Sequence, residues 1–156
     1  MGPVCLNAYR VFLLLFAIWG GSGLFESIGT HSAWWADPVA YAAVPPRPGQ
    51  INPWPPLTVL LLVSLLASAA TIWRYRGPGR RKALTTLTVA ALTLAATFAY
   101  FVPELNRMFG TGAFSDAQLV AHSRAWIGLN ALRIAIVLAA VYWGFVALGR
   151  FVHRVD

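Results

Sequence analysis

Four long apolar runs constrain this chain more than any other feature: 11–25, 57–73, 83–102 and 125–148, the last interrupted only by Arg133. A helix needs about 20 mostly apolar residues to cross the hydrocarbon core of a bilayer. Each run reaches or nearly reaches that length once a flanking turn is added. Charged residues make up 11% of the chain, against roughly 25% in a typical soluble domain, which is too few to cover a folded surface in water. The expected fold is all-α: one transmembrane domain over 1–156, a four-helix bundle with spans near 8–27, 56–74, 83–103 and 124–149. The first run also has the outline of a signal peptide, with Arg10 ahead of it and small residues at 21–23. Glu26 and the residues after it fit better as part of the bundle.

The net charge of +7 would suggest nucleic acid in a soluble protein. Here position gives it another meaning. Arg74, Arg76, Arg80, Arg81 and Lys82 crowd the turn between the second and third spans, and Arg10, Arg150 and Arg154 fall on the same side. By the positive-inside rule this side is cytoplasmic and holds both termini. Glu26, Asp37, Glu104 and Asp116 lie at or beyond the opposite ends, and only Asp156 is inside. The basic excess sets orientation, with binding of anionic headgroups as a minor extra, and no nucleic-acid partner is expected. Cys5, the lone cysteine, excludes an internal disulfide and a paired-thiol redox centre. His153, beside Arg150 and Arg154, is expected to face solvent or headgroups.

Residues 27–56 carry Trp34, Trp35 and Trp54, and prolines at 38, 45, 46, 48, 53, 55 and 56. So many prolines resist regular helix or sheet, so an ordered, irregular Pro/Trp-rich cap is expected on the outer face. Residues 110–112 should break the outer connection between the third and fourth spans into two helical pieces.

An ionisable residue inside a span costs about 2.5–3.5 kcal/mol on insertion scales and marks a functional site by default. Arg133 is such a residue. His122, Trp126, Asn130 and Arg133 recur so that all four fall on one face of the fourth span, with Arg124 pointing away. Thr86, Thr93, Thr97, Tyr100 and Glu104 form a matching stripe on the third. Two polar stripes predict one shared polar cavity in the outer half. The threonines are expected to bond back to their own helix carbonyls, whereas for Arg133 simple neutralisation by Glu104 or Glu26 is the lesser reading. The first span contributes Glu26, then His31 just beyond it, while Gly20, Gly21, Ser22 and Gly23 permit close approach of a helix or ligand. Glu26, His31, Glu104 and His122 are residue types of a metal centre, but no Glu-x-x-His or His-x-x-x-His pair fixes two ligands on one helix. Metal is therefore the lesser reading, and no metal ligand is assigned. Trp126 and Trp35 suit an interfacial belt or a stacking wall equally.

The run GLFESIGTHSAWWADP at the end of the first span, YFVPELNRM at the end of the third, and W-x-x-x-N-x-x-R through Trp126, Asn130 and Arg133 resemble the anthrone oxygenase-like family of small four-span membrane proteins. The resemblance covers most of the chain by layout, with specificity in these three motifs. It implies a cofactor-independent oxygenase that converts the methylene of a lipophilic anthrone-like substrate to a carbonyl, with molecular oxygen as co-substrate. Such chemistry needs a base, groups that hold the resulting enolate, and an aromatic slot. His122 or His31 would be the base, and Arg107, Asn130 and Arg133 the oxyanion stabilisers. Trp126, Tyr100 and Trp35 would contact substrate, while Glu26 and Glu104 would orient a histidine or hold an arginine. The alternative is a non-enzymatic binding or assembly subunit holding a lipid, small ligand or partner protein in the same pocket. A proton-coupled carrier is weaker, since no inverted repeat is present. The expected partners are the bilayer and a lipophilic small molecule, with homo-oligomerisation left open.

Overall fold

The computed structural model describes residues 2–44, 54–110 and 114–152. Among these there is no strand; every element is helical. Helix α1 spans Pro3–Gly29, followed by the short α2 (His31–Ala36) and α3 (Pro38–Ala43). Then come α4 (Trp54–Arg74), α5 (Arg80–Ala96), a π-turn at Thr97–Phe101, α6 (Val102–Gly110) and the 37-residue α7 (Asp116–Val152). Four units are long and apolar enough to cross a membrane: α1, α4, α7 and the continuous α5–π-turn–α6 rod. This is an all-α four-helix bundle, and its four long apolar helices are compatible with an integral membrane protein.

The helices follow one another around the bundle, α1 packing on α4 and α7, and α5 on α4 and α7. The start of α1 and the end of α7 therefore lie beside the 75–79 turn. Contacts between α1 and α7 show their opposed directions: Leu13 meets Gly144, Gly20 meets Val137 and Gly23 meets Ile134. The glycines are what allow the approach, because a Cβ on Gly20 would sit 2.7 Å from Val137 Cγ1 and one on Gly144 2.5 Å from Leu13 Cδ1. Gly21 faces open space.

The core at the turn end is built from Tyr9, Phe12, Leu13 and Phe16 of α1 with Leu61, Leu65, Leu87, Val137 and Phe151. Polar atoms there are paired across helices: Ser68 Oγ donates to Ala8 O at 2.9 Å and Thr86 Oγ1 to Ala140 O at 3.2 Å. Leu14, Val63, Leu66, Leu92, Leu132 and Phe145 point outward and stay exposed. Lipid is the solvent that suits such a surface.

The expected irregular cap is corrected in part. Trp34 and Trp35 lie in α2, and Pro38 opens α3, where Asp37 Oδ1 accepts from Ala40 N at 3.0 Å. Pro55 and Pro56 stand in the first turn of α4. First-turn positions tolerate proline because their N–H groups have no intrahelical partner. Pro45, Pro46, Pro48 and Pro53 lie outside the described residues, as do 111–113, His153, Arg154 and Asp156. The break near 110–112 is otherwise as expected, with α6 ending at Gly110 and α7 starting at Asp116.

Candidate functional site

The predicted polar residues gather in the half of the bundle away from the 75–79 turn, but as two clusters. The outermost is centred on Glu104. Its Oε1 lies 2.5 Å from His122 Nδ1 and its Oε2 accepts from Arg107 Nη1 at 3.1 Å. The carboxylate is buried, whereas the His122 and Arg107 side chains are 41% and 60% exposed. Arg107 is thus committed to Glu104 and also lies over the Phe114 ring.

The deeper cluster is centred on Arg133. Nη1 donates to Thr97 Oγ1 and Nη2 to Asn130 Oδ1, both at 2.6 Å. The Thr97 hydroxyl passes its own proton to Thr93 O at 2.7 Å. The guanidinium lies 4.3 Å from the Phe101 ring centroid and 5.2 Å from that of Trp19, a cation–π setting that compensates a desolvated charge. No carboxylate among the described residues is within ion-pair distance of Arg133; Glu26 acts on it only through space. Glu104 does not neutralise Arg133, because that carboxylate is engaged by His122 and Arg107. Arg133 Nε is buried without a partner among the described residues.

Trp126 stands between the two clusters. It is buried, donates from Nε1 to Phe101 O at 3.0 Å, and its ring meets those of His31, Trp34 and Phe101. Trp126 therefore faces the interior of the bundle and not its surface. It also replaces the expected single cavity with packed aromatic rings. His122 and Arg133 are eleven residues apart on one helix, about 16 Å along its axis. The structure places them in separate clusters, His122 on Glu104 and Arg133 on Thr97 and Asn130.

His31 belongs to the deeper cluster. Its ring is buried edge-on to Trp34 and Trp126. Ser27 Oγ donates to Gly23 O at 2.9 Å, so at 3.1 Å from His31 Nδ1 it is left to accept. This places the proton on Nδ1 and the lone pair on Nε2. Burial, and after it the Arg133 charge, push the His31 pKa below the ordinary histidine value. Beside it runs an open groove of about 230 Å³, lined by Ser27, His31, Ser32, Trp35, Ile127 and Ala131. Trp35 is half exposed there, with Arg124 over its ring at 5.8 Å. Tyr100 lies on the bundle surface, 38% exposed, outside the lining of this groove.

Three contributors escaped sequence reasoning: Trp34, buried against Trp126, Tyr41 and Phe109; the Phe101 carbonyl; and Ser27. The π-turn connects the Arg133 cluster to Trp126, since Thr97 and Phe101 are its end residues. Such turns free backbone acceptors and often occur at functional sites. No sequence signal announced it. Thr97 also departs from simple back-bonding by accepting from Arg133, and Thr86 by reaching Ala140 O, whereas Thr93 bonds only its own helix. No group of three or more His, Cys, Asp or Glu side chains with metal-binding geometry occurs among the described residues. No family model, curated protein or solved structure matches the chain.

Proposed function

We propose that the groove beside His31 takes up a lipophilic aromatic molecule from the outer leaflet and that His31, with Arg133, oxidises it without an organic cofactor. The observation that carries this reading is the Ser27–His31 relay: a neutral imidazole with its proton fixed on Nδ1, lining a groove, has the state a general base requires. Arg133 lies close enough to act electrostatically on His31 and retains an uncommitted N–H. Its charge, acting through space from behind the groove lining, would stabilise the enolate that forms as the C–H proton leaves. Asn130 and Thr97 hold the two terminal nitrogens of Arg133 in place. The electron-rich carbanion reduces oxygen directly; CH₂ and O₂ become C=O and H₂O, so atoms and electrons balance with no further reductant. The resemblance to the anthrone oxygenase-like family supports the substrate class. The positive-inside distribution supports a cytoplasmic basic end and an outward-facing groove.

Binding without turnover is the second reading, favoured by the aromatic rings that fill the centre of the site and by the groove's modest volume. Oxygen uptake with an anthrone or dihydroxynaphthalene-type substrate separates the two. The enzyme reading expects uptake by wild type, a loss of about 10²–10⁴-fold in His31→Gln, and little change in His122→Gln. Absence of uptake in wild type, with saturable quenching of tryptophan fluorescence by the same compounds, would leave the binding reading.

A further inference from the structure

We propose that the opposite, basic end of the bundle holds the phosphate of an anionic phospholipid in a cavity formed by the Gly77–Pro78–Gly79 turn with Arg80, Arg81, Lys82 and Arg150. The cavity has a volume of about 280 Å³ and draws its lining from two segments distant in sequence. They are brought together by Gly79. Its φ of +83° is the left-handed conformation that glycine adopts without strain, and a Cβ there would lie 3.0 Å from Ala147 O. The turn can therefore press against α7 just before Arg150.

Four cations facing one cavity repel one another, and the described residues supply no carboxylate at this end: Glu26, Asp37, Glu104 and Asp116 all lie at the other. Two of the four have partial protein partners. Arg80 Nη2 donates to Trp73 O at 3.3 Å, and Lys82 Nζ sits 3.7 Å from the Trp143 ring centroid. Arg80 Nε remains buried and unpartnered among the described residues, while Arg81 and Arg150 are exposed. The cavity also adjoins the start of α5, which has no acid in its first turn and no side-chain cap, so the first-turn N–H groups add to the positive field. Such a cavity suits an anion.

Depth decides its source. Trp73, Tyr142 and Trp143 are exposed at this end of the bundle, the girdle that tryptophan and tyrosine form at headgroup level. A cationic cavity beside that girdle meets lipid phosphates before it meets free ones, and each nearby cation strengthens attraction to an anionic leaflet.

The test uses the purified full chain in a neutral detergent, its thermal unfolding midpoint followed during titration with short-chain phosphatidylglycerol, phosphatidylcholine or inorganic phosphate. Phosphatidylglycerol should raise the midpoint saturably, and the other two should not at equal concentration. The double variant Arg81→Gln/Arg150→Gln should weaken the effect by about tenfold or more. Arg74→Gln/Arg76→Gln, which removes two exposed cations outside the cavity lining, should weaken it far less. Arg81→Lys/Arg150→Lys should retain most of it, which separates lost charge from lost fold. Equal weakening by the two glutamine pairs would overturn the site in favour of diffuse attraction. Stabilisation by inorganic phosphate equal to that by phosphatidylglycerol would overturn the lipid assignment.

Discussion

Arg133 of α7 and Thr97 of α5 are joined by a 2.6 Å hydrogen bond at the first residue of the π-turn, and Asn130 holds the other terminal nitrogen of the same guanidinium. Removing the cation and removing its acceptor are unequal operations. Arg133→Met leaves neutral groups that can rebond locally, whereas Asn130→Leu strands a charge in the bundle. Asn130→Leu should therefore cost more, about 1–3 kcal/mol, and Arg133→Met less. Unfolding in mixed detergent micelles measures both; the reverse order would show that Asn130 does not satisfy Arg133.

Trp126 holds the far end of the same turn through its bond to Phe101 O. Trp126→Phe keeps an aromatic ring and loses the donor. The expected destabilisation is about 1 kcal/mol for the bond, accompanied by faster amide exchange near Phe101. Unchanged exchange there would mean that the π-turn stands without Trp126.

Close contact between α1 and α7 depends on specific glycines. Gly144→Val drives a side chain into Leu13 and Thr86, both buried, and should cost about 1–3 kcal/mol through overpacking. Gly21→Ala points into open space and should be neutral or stabilising by up to about 1 kcal/mol. The same unfolding assay distinguishes them.

Acid should loosen the outer end through His31. Its pKa in the folded protein is depressed, by burial first and by the Arg133 charge second. The neutral ring's contribution is complete above the ordinary histidine pKa of about 6.5, and is lost as pH falls from there through the lower folded value. The charged groups concerned are Arg133 on α7 and Glu26 on α1, which acts on Arg133. Thermal midpoints should fall between pH 6.5 and 5, a range set by that reference value, and less steeply in His31→Gln. Parallel slopes would remove His31 as the cause.

Orientation is testable by labelling. With Cys5 replaced, a cysteine introduced at Arg76 should resist impermeant thiol reagents in intact cells and react after lysis. Labelling in intact cells would invert the topology.

Much of the scaffold was legible because a bilayer leaves few choices. The four runs, the basic turn and the break near Gly110 follow from length, hydropathy and glycine. The site was legible in membership more than in arrangement. Viewing α7 down its axis correctly put His122, Trp126, Asn130 and Arg133 on one face, but that projection discards the rise per residue and makes distant groups look adjacent. Tyr100 fell off its predicted face because the π-turn around it widens the helix, and no residue type in Thr97–Phe101 encodes that widening. Trp34 was hidden for a different reason. It lies in a short helix whose packing against Trp126 depends on tertiary contacts between α2 and α7.

The unbroken length of α7 has a further consequence. At 37 residues it is about 55 Å long, while the hydrocarbon core is only about 30 Å thick. If hydrocarbon begins near Leu148, it ends close to Trp126. Arg133 then sits below that boundary and the Glu104–His122–Arg107 group above it, so the two clusters experience different ionic atmospheres. Raising salt shortens the Debye length to about 3 Å at 1 M. It should weaken the upper ion pairs while leaving the lower network untouched, so ionic strength alone can address one half of the site without the other.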